Sequence, residues 1–304
     1  MKNFIGFCFV CMMKCCGYLF AKMPHRCFLF CVDSLAFVFR KFDKRRYQDA
    51  LINLNFVYAD QMNDEEKHQI ILRNYRNFAF VLLESLRAMY IDKQEHYQKF
   101  DFENLDYYLD IEREGKSAVI VSGHFGYWEA IGSALPRFTP NHELYSLGRL
   151  TQFEAVNQVI IQSRQSYGVK LIDKKGALKD LLKLYAKPRQ IAGIIVDQNV
   201  FPNEGVWVEF FGKEVTHTPV ASVLSRRFKI PIVPVFIDFN EDYTRFKVKF
   251  FEPFYCPVSE NVQEDILEAT QRQAQIMQEM VEANPKSWFW FHKRFKARYS
   301  EIYH

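Results

Sequence analysis

Three hydrophobic rhythms follow one another along the chain. An apolar run covers residues 4–20, broken by Lys14 and a little short of the ~20 residues a spanning helix needs, and a second apolar stretch at 27–39 follows closely. From Asn63-Asp64, a helix-capping pair, to Tyr90, the residues Ile70, Ile71, Tyr75, Phe78, Leu82, Leu86 and Met89 recur at helical spacing with charges between them. That is the pattern of a helix laid against a core. Beyond Lys116, short apolar runs bounded by Gly, Pro or polar residues alternate with amphipathic stretches, the rhythm of an α/β domain. The pattern predicts strands at 118–122, 143–147, 169–172, 191–196, 232–237 and 246–251. It predicts helices at 127–135, 153–167, 177–187, 219–228 and 263–283, the last ended by Asn284-Pro285.

The expected organisation is therefore an apolar membrane-attachment segment at 1–40, a helical region at 41–100 packing on the core, and an α/β domain at 101–304. Neither an internal repeat nor a low-complexity linker marks a sharp boundary near residue 100, so the two larger parts can share one core. The apolar segment has two readings: helices that enter the bilayer, or amphipathic helices lying on its surface or packed on the domain. No small-residue cleavage site follows it, since Ala21-Lys22-Met23-Pro24 is a poor match, so removal as a signal peptide is not expected. Lys41, Lys44, Arg45 and Arg46 come after the second apolar stretch and would keep the following domain on the cytoplasmic side.

Composition sharpens this picture in three places. The hydrophobic share is 49% over 304 residues, enough for a packed interior without covalent staples. Phe occurs 30 times, which suits a dense core and surfaces that meet lipid. The net charge of +4 is too small to indicate nucleic acid, but the basic tail Lys293-Arg294-Phe295-Lys296-Ala297-Arg298 fits an anionic membrane surface or an acidic carrier protein. Six of the seven cysteines, Cys8, Cys11, Cys15, Cys16, Cys27 and Cys31, crowd into the N-terminal apolar region, unlike a disulfide framework, and read as reduced. Their spacing has no matching Cys or His pair elsewhere, so neither a metal nor a cofactor is expected.

The candidate chemistry lies where Val119-Ile120-Val121-Ser122 runs through Gly123 into His124-Phe125-Gly126-Tyr127-Trp128-Glu129. Residues five apart on one continuous helix sit about 140° apart around its axis, so His124 and Glu129 can meet only if His124 stands in the turn and Glu129 in the first helical turn. A neutral imidazole so placed can take a proton from a hydroxyl while a carboxylate holds its other nitrogen. Gly123 and Gly126 would allow close approach of backbone and substrate. The alternative is that His124 caps a helix and Glu129 only favours its N-terminal dipole.

The segment His124-Phe125-Gly126-Tyr127-Trp128-Glu129 resembles the H-x4-D/E motif of the bacterial lipid A biosynthesis acyltransferases, a family related to the glycerolipid acyltransferases. The likeness continues in order through Arg149, Arg164-Gln165-Ser166-Tyr167-Gly168-Val169, Asp197-Gln198-Asn199, Val208-Glu209-Phe210-Phe211-Gly212-Lys213, Thr216-His217-Thr218-Pro219 and Trp288-Phe289-Trp290-Phe291-His292-Lys293-Arg294-Phe295-Lys296. It departs at Tyr127, where the family often has Asn, and at Lys293, which replaces an arginine.

The resemblance implies a mixed central sheet flanked by helices. It also implies transfer of a fatty acyl chain from acyl carrier protein to a hydroxyl of a Kdo-bearing lipid A precursor, at the cytoplasmic face of the bacterial inner membrane and among its lipids. In that frame His124 is the general base and Glu129 its orienting carboxylate, with no cofactor or metal. Arg149, Arg164, Gly126, Asp197, Gln198 and Asn199 are candidates for substrate binding. Arg149 and Arg164 also read as solvated surface charges, Asp197 to Asn199 as turn residues, and His217 and His292 as structural. Two other functions stay open: acyl transfer to another acceptor, such as a lysophospholipid or a phosphoinositide mannoside, and an inert membrane lipid-binding scaffold.

Overall fold

The computed structural model describes residues 2–148, 153–174 and 176–304. Helices α1 (Lys2–Lys22) and α2 (His25–Phe42) lie side by side on α4 (Asp64–Arg87), with α3 (Lys44–Tyr58) between them in sequence. Helix α4 begins at a reciprocal capping box: the Asn63 side chain accepts from the Glu66 N–H, and the Glu66 carboxylate accepts from the Asn63 N–H. Among the described residues no helix is long and apolar enough to cross a membrane. Both N-terminal helices are held against the body of the protein through α4. Val32 and Ala36 of α2 face that body while Phe30, Phe37 and Phe42 face out.

After the short helix α5 (Lys93–Tyr97), the chain enters β1 (Phe100–Glu103), α6 (Asp106–Glu114), β2 (Ala118–Ser122), α7 (Ile131–Ala134) and β3 (Glu143–Gly148). Then follow α8 (Glu154–Gln165), β4 (Val169–Asp173), α9 (Ala177–Leu184), β5 (Gln190–Ile195) and the antiparallel ribbon of β6 (Val206–Phe210) with β7 (Lys213–His217). Helix α10 (Val220–Phe228), strands β8 (Ile232–Phe239) and β9 (Phe246–Phe250), and helix α11 (Val262–Ala283) complete the order.

Seven strands form one sheet in the order β1-β9-β8-β2-β5-β3-β4. β8, β2, β5, β3 and β4 run parallel, whereas β9 pairs antiparallel with β8 and carries β1 with it. The sheet is mixed and flanked by helices, as the resemblance implies. β2 is buried at all five positions, Ala118 to Ser122, because a central parallel strand is covered on both faces; hence its unbroken apolar sequence. One continuous buried core extends from Phe28 to Phe295.

Three strands escaped the sequence pattern. β1 is four residues long and presents one buried side chain, and β6 and β7 mix Glu, Lys and Thr with apolar residues because one side of that ribbon faces solvent. The expected helix at 127–135 is broken into a 3₁₀ turn at Trp128–Ala130 and the single turn of α7, stopped by Pro136.

Candidate functional site

Register brings the chemistry together. β2 and β5 are parallel neighbours with Ser122 opposite Ile195, so the second residue beyond each strand, His124 and Asp197, emerges side by side at their carboxyl ends. The Val196 N–H bonds the Ser122 carbonyl at 2.9 Å and keeps the two chains in step past the last pair. The carboxyl ends of parallel strands are where α/β sheets place ligands, because the turns to the following elements open there.

Asp197 is 1% exposed and accepts three hydrogen bonds. Oδ2 takes the His124 N–H at 2.8 Å and the Trp288 Nε1–H at 2.9 Å, and Oδ1 faces His124 Nδ1 at 2.8 Å. Burial alone would raise the Asp197 pKa, but the adjacent His124 charge, the His124 hydrogen bonds and the nearby His292 hold it far below the usual carboxylate range. An ionised carboxylate only accepts, so Nδ1 is the nitrogen of His124 that carries a proton toward Asp197, and the lone pair of a singly protonated ring lies on Nε2. The His124 side chain is 17% exposed, enough for a substrate atom to reach it.

This differs from the expected pairing, in which Glu129 holds His124. Glu129 lies in the 3₁₀ turn and directs its carboxylate at Arg164, with Oε2 3.2 Å from Nη2. Arg164 also donates from Nη1 to Ser146 Oγ on β3 at 3.1 Å, so a charged pair bridges the turn after β2 to α8 and β3. The reason is the broken helix: a 3₁₀ turn beginning at Trp128 rotates Glu129 away from the imidazole, and the Trp128 ring stands against His124 with centroids 5.2 Å apart.

Gly126 is explained by packing rather than substrate approach. Its φ is +52°, and a Cβ there would meet the Ile237 carbonyl oxygen at 2.0 Å. Gln198 accepts from Lys174 Nζ at 2.9 Å, and Asn199 accepts from the Ala297 N–H at 3.1 Å, so both act as fasteners around the site. Arg149 lies outside the described residues. Tyr127 is buried with its ring parallel to Phe239, an aromatic core role with no need of the hydrogen bond an Asn would make.

The C-terminal segment completes the site. Ser287 O accepts from the Gly126 N–H at 2.8 Å, and the Phe289 N–H donates to His124 O at 2.9 Å, so residues 287–289 run as a strap across the turn that follows β2. The strap is anchored to the N-terminal helices by buried amides. Asn53 donates to the carbonyls of Trp290 and His292, and Asn74 and Asn77 donate to that of Lys286. It carries the His292 ring to 4.6 Å from that of His124, edge to face. Burial, then the His124 charge, pulls the His292 pKa down to about 3, so its imidazole is neutral.

His292 thus belongs to the site, which its place beside the basic tail concealed. The tail itself is largely spoken for: Arg294 is 1% exposed and donates to Thr216 O and His217 Nδ1, while Lys293 and Arg298 pair with Asp49 and Glu214. It is a structural closure rather than an open basic face.

Beside the turn that follows β2 a cavity opens on one face of the sheet, lined in part by α7 and α8. Trp128, Glu129 and Arg164 stand at one end, and Ile191, Leu144 and Leu135 line the other. Its walls are mainly apolar, with Ser85, Ser122, Ser133, Ser146 and Ser163 among the polar points. From Ile195 to Ile191 along β5 is about 13 Å at the usual rise per strand residue, the length of roughly ten methylenes.

A histidine held by a buried carboxylate, next to a mainly apolar cavity at the mouth of an α/β sheet, is an arrangement that can activate a hydroxyl by general base. The chain belongs to the bacterial lipid A biosynthesis acyltransferase family, whose sequence profile matches residues 7–297. It is similar to the lipid A biosynthesis palmitoleoyltransferase of Escherichia coli (strain K12), at 24% identity over 288 residues, covering 92% of this chain and 89% of that protein. It is equally similar to a lipid A biosynthesis acyltransferase of Shigella flexneri. A lipid A biosynthesis acyltransferase of Haemophilus influenzae (strain ATCC 51907 / DSM 11121 / KW20 / Rd) is 18% identical over 256 residues, 84% of this chain and 77% of that one. The activity class is therefore acyl transfer in lipid A biosynthesis.

Proposed function

We propose that this protein moves a fatty acyl chain from an acyl carrier protein thioester to a hydroxyl of a Kdo-bearing lipid A precursor, with His124 as general base and Asp197 as its orienting carboxylate. The observation that carries the reading is the 2.8 Å contact of His124 Nδ1 with buried Asp197, which leaves Nε2 as the base, beside a mainly apolar cavity. The acceptor O–H gives its proton to Nε2 as the oxygen bonds the thioester carbonyl carbon. Collapse of the adduct breaks the C–S bond, and the departing sulfur takes the proton back from the imidazolium. The thioester carbonyl sits at the cavity mouth and its chain runs down the cavity. There the Arg164 guanidinium, held by Glu129, faces the developing oxyanion or an acceptor phosphate.

Helices α1 and α2 hold the protein on the inner membrane's cytoplasmic face by lying in the interface. Phe7, Leu19, Phe30, Phe37 and Phe42 are exposed, and Lys22, Arg26, Arg40 and Lys41 flank them, a pairing of apolar ridge and basic flank that suits anionic lipid. Mass spectrometry of lipid A from cells with and without the protein tests the function. Loss of one secondary acyl chain, restored by the wild type and not by His124→Ala, is the expected result. Unchanged lipid A in a strain with no redundant enzyme would direct the search to a lysophospholipid or phosphoinositide mannoside acceptor, or to a non-catalytic lipid-binding role.

A further inference from the structure

His292 leaves an observation that the acyl-transfer chemistry does not use. Its Nε2 is buried with no hydrogen-bond partner among the described residues, although an orphaned buried polar atom carries a desolvation cost and calls for a physical account. A ligand nitrogen of His292, one of His124 and a carboxylate oxygen of Asp197 all lie within 4.8 Å of one another. Two imidazoles and one carboxylate are the donor types that bind zinc through three protein ligands, with a fourth position left to water. Ligand atoms about 2.1 Å from a tetrahedral ion sit roughly 3.4 Å apart, so the three side chains need to shift by about an ångström and a half at most to close on it.

Their supports are those of a metal site. Asp197 is oriented by the Trp288 Nε1–H and the His124 backbone N–H, and the carbonyl of His292 is held by Asn53, so ligand directions are fixed from behind. The exposed edge of His124 supplies the path of entry.

We infer that His124, Asp197 and His292 form an inhibitory zinc site: a divalent borderline cation binds the three side chains and switches the base off. Zinc on His124 consumes the lone pair or the Nδ1–Asp197 hydrogen bond that general-base action requires, so the bound and active forms exclude each other. Its binding does not depend on the acyl-transfer reading; only its inhibitory effect does.

The test uses the full chain in detergent, stripped with EDTA, desalted, and with its thiols capped by iodoacetamide so that the exposed N-terminal cysteines do not compete. Calorimetric titration with ZnCl₂ should show one tight ion per chain, and His292→Ala should weaken it at least about tenfold, the usual scale for disturbing a metal's support. His292→Gln serves as the second variant should the alanine protein not fold. Acyl transfer in the same titration should fall in step with occupancy in the wild type and resist zinc in the variant. An absence of binding to the capped wild type, or equal binding by folded His292 variants, overturns the site. Binding without inhibition overturns the switch. A protein that binds zinc in this way but shows no acyl transfer before zinc is added refutes the functional reading and leaves the site standing.

Discussion

Replacing Asp197 by Asn separates the two carboxylates that compete for the role of His124's partner. The amide keeps the volume but exchanges one accepting oxygen for an N–H₂ donor at a position where all three incoming groups are donors: the His124 N–H, His124 Nδ1–H and Trp288 Nε1–H. If the amide nitrogen faces Nδ1, His124 relieves the clash by moving its proton to Nε2, which abolishes the lone pair that accepts the substrate proton. In a serine-protease triad the same carboxylate-to-amide change costs about 10⁴ in kcat through the wrong tautomer. A base that works without a covalent serine should lose about 10³- to 10⁴-fold, or 4 to 5.5 kcal/mol of transition-state stabilisation. Stability should fall by about 1–3 kcal/mol for the donor left without an acceptor. The assay is acyl transfer from a fixed acyl donor at saturating acceptor, with thermal unfolding of the same preparations. Glu129→Gln is the comparator. Its carboxylate pairs with Arg164 and not with the imidazole, so it should cost about 10- to 100-fold, the scale of losing one support to a positioned group, without altering the acid limb of the pH–rate profile. A folded Asp197→Asn enzyme within tenfold of wild type, beside an inactive Glu129→Gln enzyme with an altered acid limb, would refute the assignment and restore Glu129 as the partner.

Four further outcomes follow from the geometry. A Cβ at Gly132 would meet its nearest neighbour, Val169 Cγ2, at 3.8 Å, so Gly132→Leu fits without backbone strain, fills the cavity and should shift the preferred acyl donor shorter by about two to four carbons, read from rates across a chain-length series. Burial, as the first cause, pulls His96, His217 and His292 each down to about 3, so each stays neutral when folded and gains a proton on unfolding below pH 6.5. The sign follows: their contribution is complete above about pH 6.5 and is lost toward pH 3, about 2 kcal/mol each by pH 5, so thermal unfolding should drop steeply between pH 7 and 5, and a flat profile would contradict the neutral assignments. Asn53→Ala unties the strap carbonyls of Trp290 and His292 and the Tyr303 hydroxyl, and should cost about 2–3 kcal/mol in denaturant unfolding while making the C-terminal segment sensitive to protease. Replacing Phe30, Phe37 and Phe42 together by Ser should weaken flotation with anionic vesicles by at least tenfold at unchanged stability, because all three side chains already face outward.

The sequence spoke most clearly where one physical rule acted alone. Strands covered on both faces must be apolar, so β2, β5 and most of β8 read as unbroken runs, while β9 shows the alternation of a half-exposed edge and β3 and β4 show shorter apolar runs; all six are predicted to within a residue or two of their ends. β6 and β7 are half exposed and short, and their Glu209, Lys213 and Glu214 dilute the alternation on which a strand is recognised. The 3₁₀ turn at Trp128–Ala130 was invisible for a different reason. Nothing in Tyr127-Trp128-Glu129-Ala130 forbids a helix; the deviation is imposed by the Gly126 bridge to Ile237, a contact to a strand more than a hundred residues away.

The same distinction explains why the sequence sets His124 beside Glu129 and the structure sets it beside Asp197. His124 and Glu129 are close in sequence, so a local motif presents them as a pair, and chain proximity is the only relation one sequence displays directly. Asp197 reaches His124 through strand register: Ser122 opposes Ile195, and two residues beyond each strand the side chains meet. Register is a property of two segments and the turns that hold them, so neither segment reveals it alone. Trp288 and His292 arrive by a third route, a strap positioned by Asn53, Asn74 and Asn77 from helices at the other end of the chain. His124 is thus written locally, its carboxylate neighbour in sheet topology and its covering strap in contacts spanning more than 200 residues. Residues that act through the second and third routes tolerate no slip in the fold that carries them, so a one-residue shift of β5 against β2 would silence the site while leaving every motif intact.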